Sequence, residues 1–342
     1  LRSIGALVLL VVGACSRPSN EAAPPVLAIV DASSVPFSIV DSGNGMSDSA
    51  TPAAAGSAEL IDPSYFTALP VRAKSIGHTS IVFKLSLDNG QIAAYKPRSH
   101  VGGERFRGEI AAFRLSQAWG LSNVPPAVAR SFPAAGLRAS AASDAKAADL
   151  YSREVVAESD GTVRGALIPW IAKLELLPLE TASERARWSA WLDDPSAPTP
   201  KFDDASLAGQ ISTMILFDTM TGNWDRWSGG NIGVSRVGTK NGYDKVLYID
   251  NDGAFFDPVP AGPLAAQLEL VKKMSRFSRS FVTSLKNISE ADLEKALGEE
   301  SPGKSLLPRN VVDAFLARRK KVLALVDEKI TANGDSATLS LP

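Results

Sequence analysis

The sequence predicts an α+β protein in two lobes, with antiparallel strands and one helix first and helices after. Three observations carry this prediction. Residues Ile81 to Asp88 alternate in polarity and run into Asp88-Asn89-Gly90, the pattern of a strand entering a hairpin. Ala205 to Thr221 is apolar on nearly every side, as a buried helix is. After Pro263 the pattern is helical through Leu264–Leu285, Ser289–Leu297 and Arg309–Thr331. Strands and helices do not alternate, which argues against a parallel βαβ sheet.

The elements follow in chain order. Ile4 to Val12 is apolar and follows Arg2; it is far short of the roughly 20 residues that span a bilayer. It reads as a signal peptide. The run ends Val12-Gly13-Ala14-Cys15, which resembles a bacterial lipobox, so residues 1–15 are expected to be signal and lipid site. Ser16 rather than Asp follows the Cys, which makes the outer membrane of a Gram-negative envelope the default location. Residues 16–60 are rich in Ala, Pro, Ser and Gly and read as a tether. Val26–Val30 and Val35–Val40 are weak strand candidates within it. The folded domain is expected over 61–342, with lobes at about 61–170 and 171–331.

Within the domain, Gln91 to Lys96 is the return strand of the first hairpin. Glu104 to Trp119 is a helix with Phe106, Ile110, Phe113 and Gln117 on one stripe and Gly120 at its C-terminus. Residues 134–149 are Ala-rich, a small helix or a loop. Tyr151–Ala157 and Thr162–Ile168 are expected as a strand pair across Ser159-Asp160-Gly161. Residues 183–204, with Trp188 and Trp191, form an excursion. Asn231–Val237 and Tyr243–Ile249 are expected to pair as a further hairpin.

Composition removes several functions. The chain has 36 basic and 37 acidic residues, so no whole-chain basic field invites nucleic acid. One Cys excludes an internal disulfide framework and a cysteine zinc cluster, and two His leave little for a His-rich metal site.

Four clusters carry chemistry. In Ser75-Ile76-Gly77-His78-Thr79-Ser80, small residues let backbone N–H groups approach a phosphate, although an ordinary turn has the same composition. Lys96, at the end of the return strand, is either a phosphate ligand beneath that loop or a solvated edge lysine. Glu109 lies one turn from Phe106 and Phe113 on the apolar stripe. An ionised carboxylate there is costly unless paired, and Lys96 is the candidate partner. A structural salt bridge is the plainer reading of the same pair.

The fourth cluster follows the buried helix. Thr221-Gly222-Asn223-Trp224-Asp225-Arg226-Trp227 is followed by Asn231, and a hairpin then delivers Ile249-Asp250-Asn251-Asp252-Gly253. A helix, an Asp-bearing loop, a hairpin and a second Asp give the order of parts that phosphoryl transfer needs. One carboxylate accepts the proton of an attacking hydroxyl and another holds a divalent ion. Oxygen ligands suit Mg²⁺ or Mn²⁺.

These motifs together resemble the secretory-pathway kinases of the Golgi casein kinase and Four-jointed type. Gly108-Glu109-Ile110-Ala111-Ala112-Phe113, Val124-Pro125-Pro126 ending in Arg130, Gly222-Asn223-Trp224-Asp225-Arg226, Ile249-Asp250-Asn251 and Tyr95-Lys96-Pro97 are each similar to a motif of that family, in family order. More distantly the layout resembles CotH and HipA-type kinases. The resemblance implies a two-lobed protein-kinase-like fold and the cofactors ATP with Mn²⁺ or Mg²⁺. It implies Lys96 and Glu109 at the nucleotide, Asp225 as the catalytic acidic residue and Asp250 at the metal; Gly77, His78, Thr79 and Ser80 join the expected ATP site as the small-residue loop above Lys96. Arg226 is expected to structure its loop, and Leu167-Ile168-Pro169-Trp170 resembles the hinge that cradles adenine. Asp252 and Asn231 are further metal candidates. Here Asp252-Gly253 follows Asn251 where the family has Asn-Gly-Arg-Gly, which leaves Asp250 and Asp252 both open as principal ligand. The expected activity is transfer of the ATP γ-phosphoryl group to a protein Ser/Thr or a sugar hydroxyl, by an enzyme anchored through lipid on Cys15. A catalytically idle kinase fold acting as a binding module is the alternative, since ATP is scarce outside the cytoplasmic membrane.

Overall fold

A computed structural model describes residues 61–77, 80–198, 200, 203–235 and 245–342. The expected signal, lipid site, tether and two weak strands lie outside the described residues. After a 3-10 turn at Pro63–Phe66, the first half builds a five-stranded antiparallel sheet from β1 (Pro70–Ser75), β2 (Phe83–Leu87), β3 (Ile92–Pro97), β4 (Val128–Pro133) and β5 (Thr162–Pro169). Its order is β1-β2-β3-β5-β4. The Asp88-Asn89-Gly90 turn joins β2 to β3 as expected, with Gly90 at φ 84°.

The pleat gives this sheet two different faces. One face presents Phe83, Leu85, Ala93, Tyr95, Val163 and Leu167, all buried beneath helices α2 (Ala134–Ala141) and α3 (Ala145–Glu154). The Tyr95 hydroxyl donates within this core to the Val163 carbonyl at 2.7 Å. The opposite face presents Lys84, Ala94, Lys96 and Ala166, which are in register across β2, β3 and β5. Helix α1 (Phe106–Ala118), between β3 and β4, packs on that side.

A second, three-stranded sheet of β6 (Leu174–Leu176), β7 (Ile232–Ser235) and β8 (Val246–Tyr248) lies in the second half, in the order β6-β7-β8. The expected hairpin is present as β7 and β8; its turn lies outside the described residues. The helices are α4 (Ala182–Leu192), α5 (Asp203–Thr221), α6 (Ala261–Lys273), α7 (Arg279–Asn287), α8 (Glu290–Ala296), α9 (Arg309–Asn333) and a final turn α10 (Asp335–Thr338). A small hairpin, β9 (Glu299–Ser301) with β10 (Lys304–Ser305), separates α8 from α9. None of the described helices is long and apolar enough to cross a membrane.

The sequence reading is corrected in four places. Tyr151–Glu154 is helical, not strand, because the Asp144 carboxylate caps α3 by accepting from the Ala147 N–H at 2.8 Å. Thr162–Pro169 therefore pairs with β3 and β4 instead of with Tyr151–Ala157. The long helix expected over 264–285 is broken at Met274–Phe277. There Ser275 and Arg276 donate their N–H groups to the Leu192 carbonyl, at 2.7 and 3.0 Å, and Ser278 caps α7. Finally, β1 ends at Ser75 and precedes the expected first strand, so Gly77 and Ser80 lie between β1 and β2.

The large core is continuous from α1 into the C-terminal helices. Trp119, just past α1, lies 5.8 Å from the rings of both Phe217 and Phe281 and 6.1 Å from that of Phe315. Helix α1 therefore touches the first sheet on one side and is built into the helical half on the other.

Candidate active site

Lys96 is the centre of the site. It sits on the α1 side of β3, buried, with only 9% of its side chain exposed. Its ammonium donates to Glu109 Oε1 at 2.5 Å and to Asp250 Oδ1 at 2.5 Å, and lies 3.4 Å from Asp252 Oδ2. The expected strand–helix ion pair is thus formed. Burial alone would lower the Lys96 pKa; the charges of Glu109, Asp250 and Asp252 reverse this and hold it well above the ordinary lysine range. Burial pushes the Glu109 carboxyl up, against the pull of Lys96. The contacts favour the ionised pair, because Glu109 also accepts from the Asn251 backbone N–H at 2.9 Å, a donor whose direction is fixed.

The loop after β8 carries the remaining carboxylates. Asp250 has φ 56°, a left-handed conformation that non-glycine residues rarely adopt and that recurs at functional positions. Its side chain is 33% exposed, while that of Asp252 is 8% exposed. Burial acts to raise the Asp250 pKa, but the Lys96 charge and hydrogen bond prevail and hold it below the usual aspartate range. Helix α1 comes close to this loop at Gly108, where a Cβ would stand 2.5 Å from the Asn251 carbonyl oxygen. Only glycine permits that approach.

The Asp225 loop follows α5. The reversal needs Gly222 at φ 67°, in the left-handed region. Arg226 is fully buried and is the brace of the loop. Its guanidinium donates to both Asp218 oxygens at 2.9 and 3.1 Å, to Asn251 Oδ1 at 2.6 Å, to the Asn231 carbonyl at 2.6 Å and to the Ile249 carbonyl. One side chain thereby ties α5, the Asp225 loop and the Asp250 loop together. Gly253 lies against Asp225, whose Cβ would be 2.9 Å from a Cβ at that position. Burial, reinforced by the charges of Asp250 and Asp252, pushes the Asp225 carboxyl up, against a hydrogen bond from Ser228.

The structure therefore brings Lys96, Glu109, Asp250 and Asp252 into direct contact and sets Asp225 beside Gly253. Asn231 is buried just before β7; its amide donates to the Asp225 carbonyl at 2.8 Å and to Ser228 Oγ at 3.2 Å. Ser80 lines a cleft with Lys96, Gly102, Gly103, Arg105 and Asp252. A Cβ at Gly77 would collide with the Ser80 carbonyl oxygen, so the β1–β2 connection needs glycine there. His78 and Thr79 lie outside the described residues. Trp170 follows β5, 39% exposed, with the Lys84 ammonium 4.0 Å from its ring centroid.

Two functional neighbours escaped the sequence reading. Asp218 had a signal: a carboxylate inside an apolar helix requires a cation, and Arg226 lies eight residues on. Arg105 had none, because its partner is Asp252, which is 147 residues away.

Among the described residues, no three His, Cys, Asp or Glu side chains are grouped so as to hold a metal ion. A Mg²⁺-type site does not need such a group, since one or two carboxylates with phosphate oxygens and water suffice. Asp250, an oxygen donor with partial exposure, fits that role.

A five-stranded antiparallel sheet with its lysine, one helix with the paired glutamate, and two acidic loops in a helical half define the class: a two-lobed protein-kinase fold. No protein-family model matches the sequence, and neither does any curated protein. Solved structures do match. The Golgi casein kinase structure aligns at TM-score 0.58 and 15% identity, over 79% of this chain and 76% of that one. The same kinase with Mn/ADP bound aligns at TM-score 0.58 and 16% identity, over 80% and 76%. Hydra Fam20 with sugar aligns at TM-score 0.59 and 21% identity, over 80% and 89%. The expected resemblance to the secretory kinases therefore holds at the level of the fold.

Proposed function

We propose that the protein is an ATP-dependent phosphotransferase acting on a hydroxyl acceptor. The observation that carries this is the convergence of Lys96, Glu109 and Asp250 at 2.5 Å contacts, with Asp225 on the adjoining loop. In this reading Lys96, oriented by Glu109, binds the nucleotide phosphates. Gly77 and Ser80 belong to the loop that covers them. Asp225 receives the proton of the acceptor hydroxyl as its oxygen bonds to the γ-phosphorus, and the bond to the β–γ bridging oxygen breaks to leave ADP. Mn²⁺ or Mg²⁺ held by Asp250 would neutralise charge on the transferred phosphoryl group. The Mn/ADP complex of the Golgi casein kinase supports this choice of cofactors. Arg226 keeps the two acidic loops at a fixed separation.

The acceptor class is a protein Ser/Thr or a sugar hydroxyl. The cell-envelope setting rests on the lipobox-like Val12-Gly13-Ala14-Cys15. Calorimetric titration of the full chain with ADP and Mn²⁺ tests the site. Binding that requires Mn²⁺ and is lost in Asp250→Ala is expected; equal binding by wild type and Asp250→Ala would remove the metal assignment.

A further inference from the structure

Asp252 and Arg105 form a contact that phosphoryl transfer as described does not use. Arg105 immediately precedes α1. Its Nη2 donates to Asp252 Oδ1 at 2.6 Å and its Nε to the Asp252 backbone carbonyl at 3.1 Å. The other carboxylate oxygen, Oδ2, faces Lys96 at 3.4 Å. Both oxygens of a nearly buried carboxylate are thus turned to cations of the chain itself. The neighbouring Asp250 differs, with its greater exposure and left-handed backbone.

The same guanidinium reaches the catalytic loop. Its carbon lies 5.5 Å from the ring centroid of Trp224 and 5.7 Å from that of Phe256, and these two rings meet edge to face. The buried Trp224 Nε1 has no hydrogen-bond partner among the described residues, so ring contacts orient the indole. Trp224 immediately precedes Asp225, and its backbone N–H faces the Gly253 carbonyl at 3.4 Å. Arg105 therefore touches the start of α1, the Asp250 loop and the Asp225 loop at once.

We infer that Asp252 is a positioning residue and not a metal ligand: gripped by Arg105, it fixes α1 and Trp224, and through Trp224 the Asp225 carboxylate. This rests on the phosphotransferase reading for its consequence in catalysis, while the clamp itself is independent of any ligand. Arginine is required because the grip is two-pronged, one N–H to a side chain and one to a backbone carbonyl; lysine offers a point charge only.

The test uses Asp252→Asn, Arg105→Gln and the double variant in the full chain, with Arg105→Lys and Asp250→Ala alongside. Thermal melts without ligand should show each single change lowering Tm and the double lowering it by less than the sum of the two, since the Arg105–Asp252 contact they share can be lost only once. Arg105→Lys should recover only part of the loss. Mn²⁺ affinity in the presence of ADP, read as free Mn²⁺ by electron paramagnetic resonance, should change less than about threefold in Asp252→Asn and more than about tenfold in Asp250→Ala. In turnover, kcat of Asp252→Asn should fall about tenfold or more while KM for ATP stays within about threefold, as misplacement of a reacting group predicts. Additive melts, or a loss of Mn²⁺ affinity in Asp252→Asn equal to that in Asp250→Ala, would overturn the inference. The melts judge the clamp without nucleotide; the phosphotransferase reading stands or falls on binding by the wild type.

Discussion

Arg226 shows how much one side chain can hold. It is fully buried, and its guanidinium satisfies Asp218, Asn251 and two backbone carbonyls. Lysine would keep the charge but has no planar fork to divide among five acceptor oxygens. Arg226→Lys is expected to destabilise the protein by roughly 3 kcal/mol or more, the scale of a broken buried ion pair, measured by urea unfolding. Asp225 yields a prediction in pH. Its carboxyl is pushed up by burial and by the charges of Asp250 and Asp252, and the proposed role of proton acceptor requires the ionised form. Activity should therefore rise with pH through a midpoint above the ordinary aspartate value of about 4. A kcat–pH profile with its acid limb at or below that value would contradict this environment. Glu109 was legible in the sequence because a carboxylate among Phe106, Ile110 and Phe113 has to find a cation. Asp218 obeyed the same rule. Arg105 could not be found this way, since an arginine ahead of a helix is ordinary until its distant partner is known.

At the scale of elements, the junction between α1 and the Asp250 loop is the sensitive point. Ala would favour a helix interior over Gly by about 1 kcal/mol. At Gly108 that gain is opposed by the Asn251 carbonyl, 2.5 Å from the new methyl, and by Ala254 O at 3.3 Å. These are backbone atoms, so the neighbour cannot simply rotate away. Gly108→Ala should therefore destabilise by about 1–3 kcal/mol, as overpacking does, and should weaken Mn²⁺–ADP binding. An unchanged or raised Tm would show that the loop yields freely. The other side of α1 is held by the β9–β10 hairpin: Glu300, its side chain 4% exposed, pairs with Arg107 at 2.9 Å and with Arg164 of β5 at 3.0 Å. The hairpin of β2 and β3, α1, and the buried α5 were legible because period and turn chemistry agreed there. The 264–285 break was not. Its backbone N–H groups are satisfied by Leu192 and Thr338, and a local pattern carries no information about such remote acceptors. Tyr151–Glu154 misled for another reason: Val155 and Val156 suggest a strand, but the Asp144 cap had already started a helix.

On the scale of the whole molecule, the packing of α1 decides what kind of machine this is. Trp119 is enclosed by Phe217, Phe281 and Phe315, and Arg107 and Arg164 meet Glu300. The glutamate that pairs with Lys96 is thus carried on a helix anchored in the C-terminal core. The lone Cys15 belongs to the same scale. If it carries the lipid, Cys15→Ser should move the protein from the membrane fraction to the soluble fraction of the envelope; continued membrane association would contradict the anchor. Phosphoryl transfer at Asp225 is open to a direct measurement. Its most direct test is the initial rate of ATP turnover by the full chain with Mn²⁺ or Mg²⁺, wild type against Asp225→Asn. Metal-dependent turnover by the wild type is expected, with a loss of about two to four orders of magnitude in the variant, the range of a lost general base. Nucleotide binding with equal turnover in the two proteins would contradict it and leave a kinase fold that binds without catalysing.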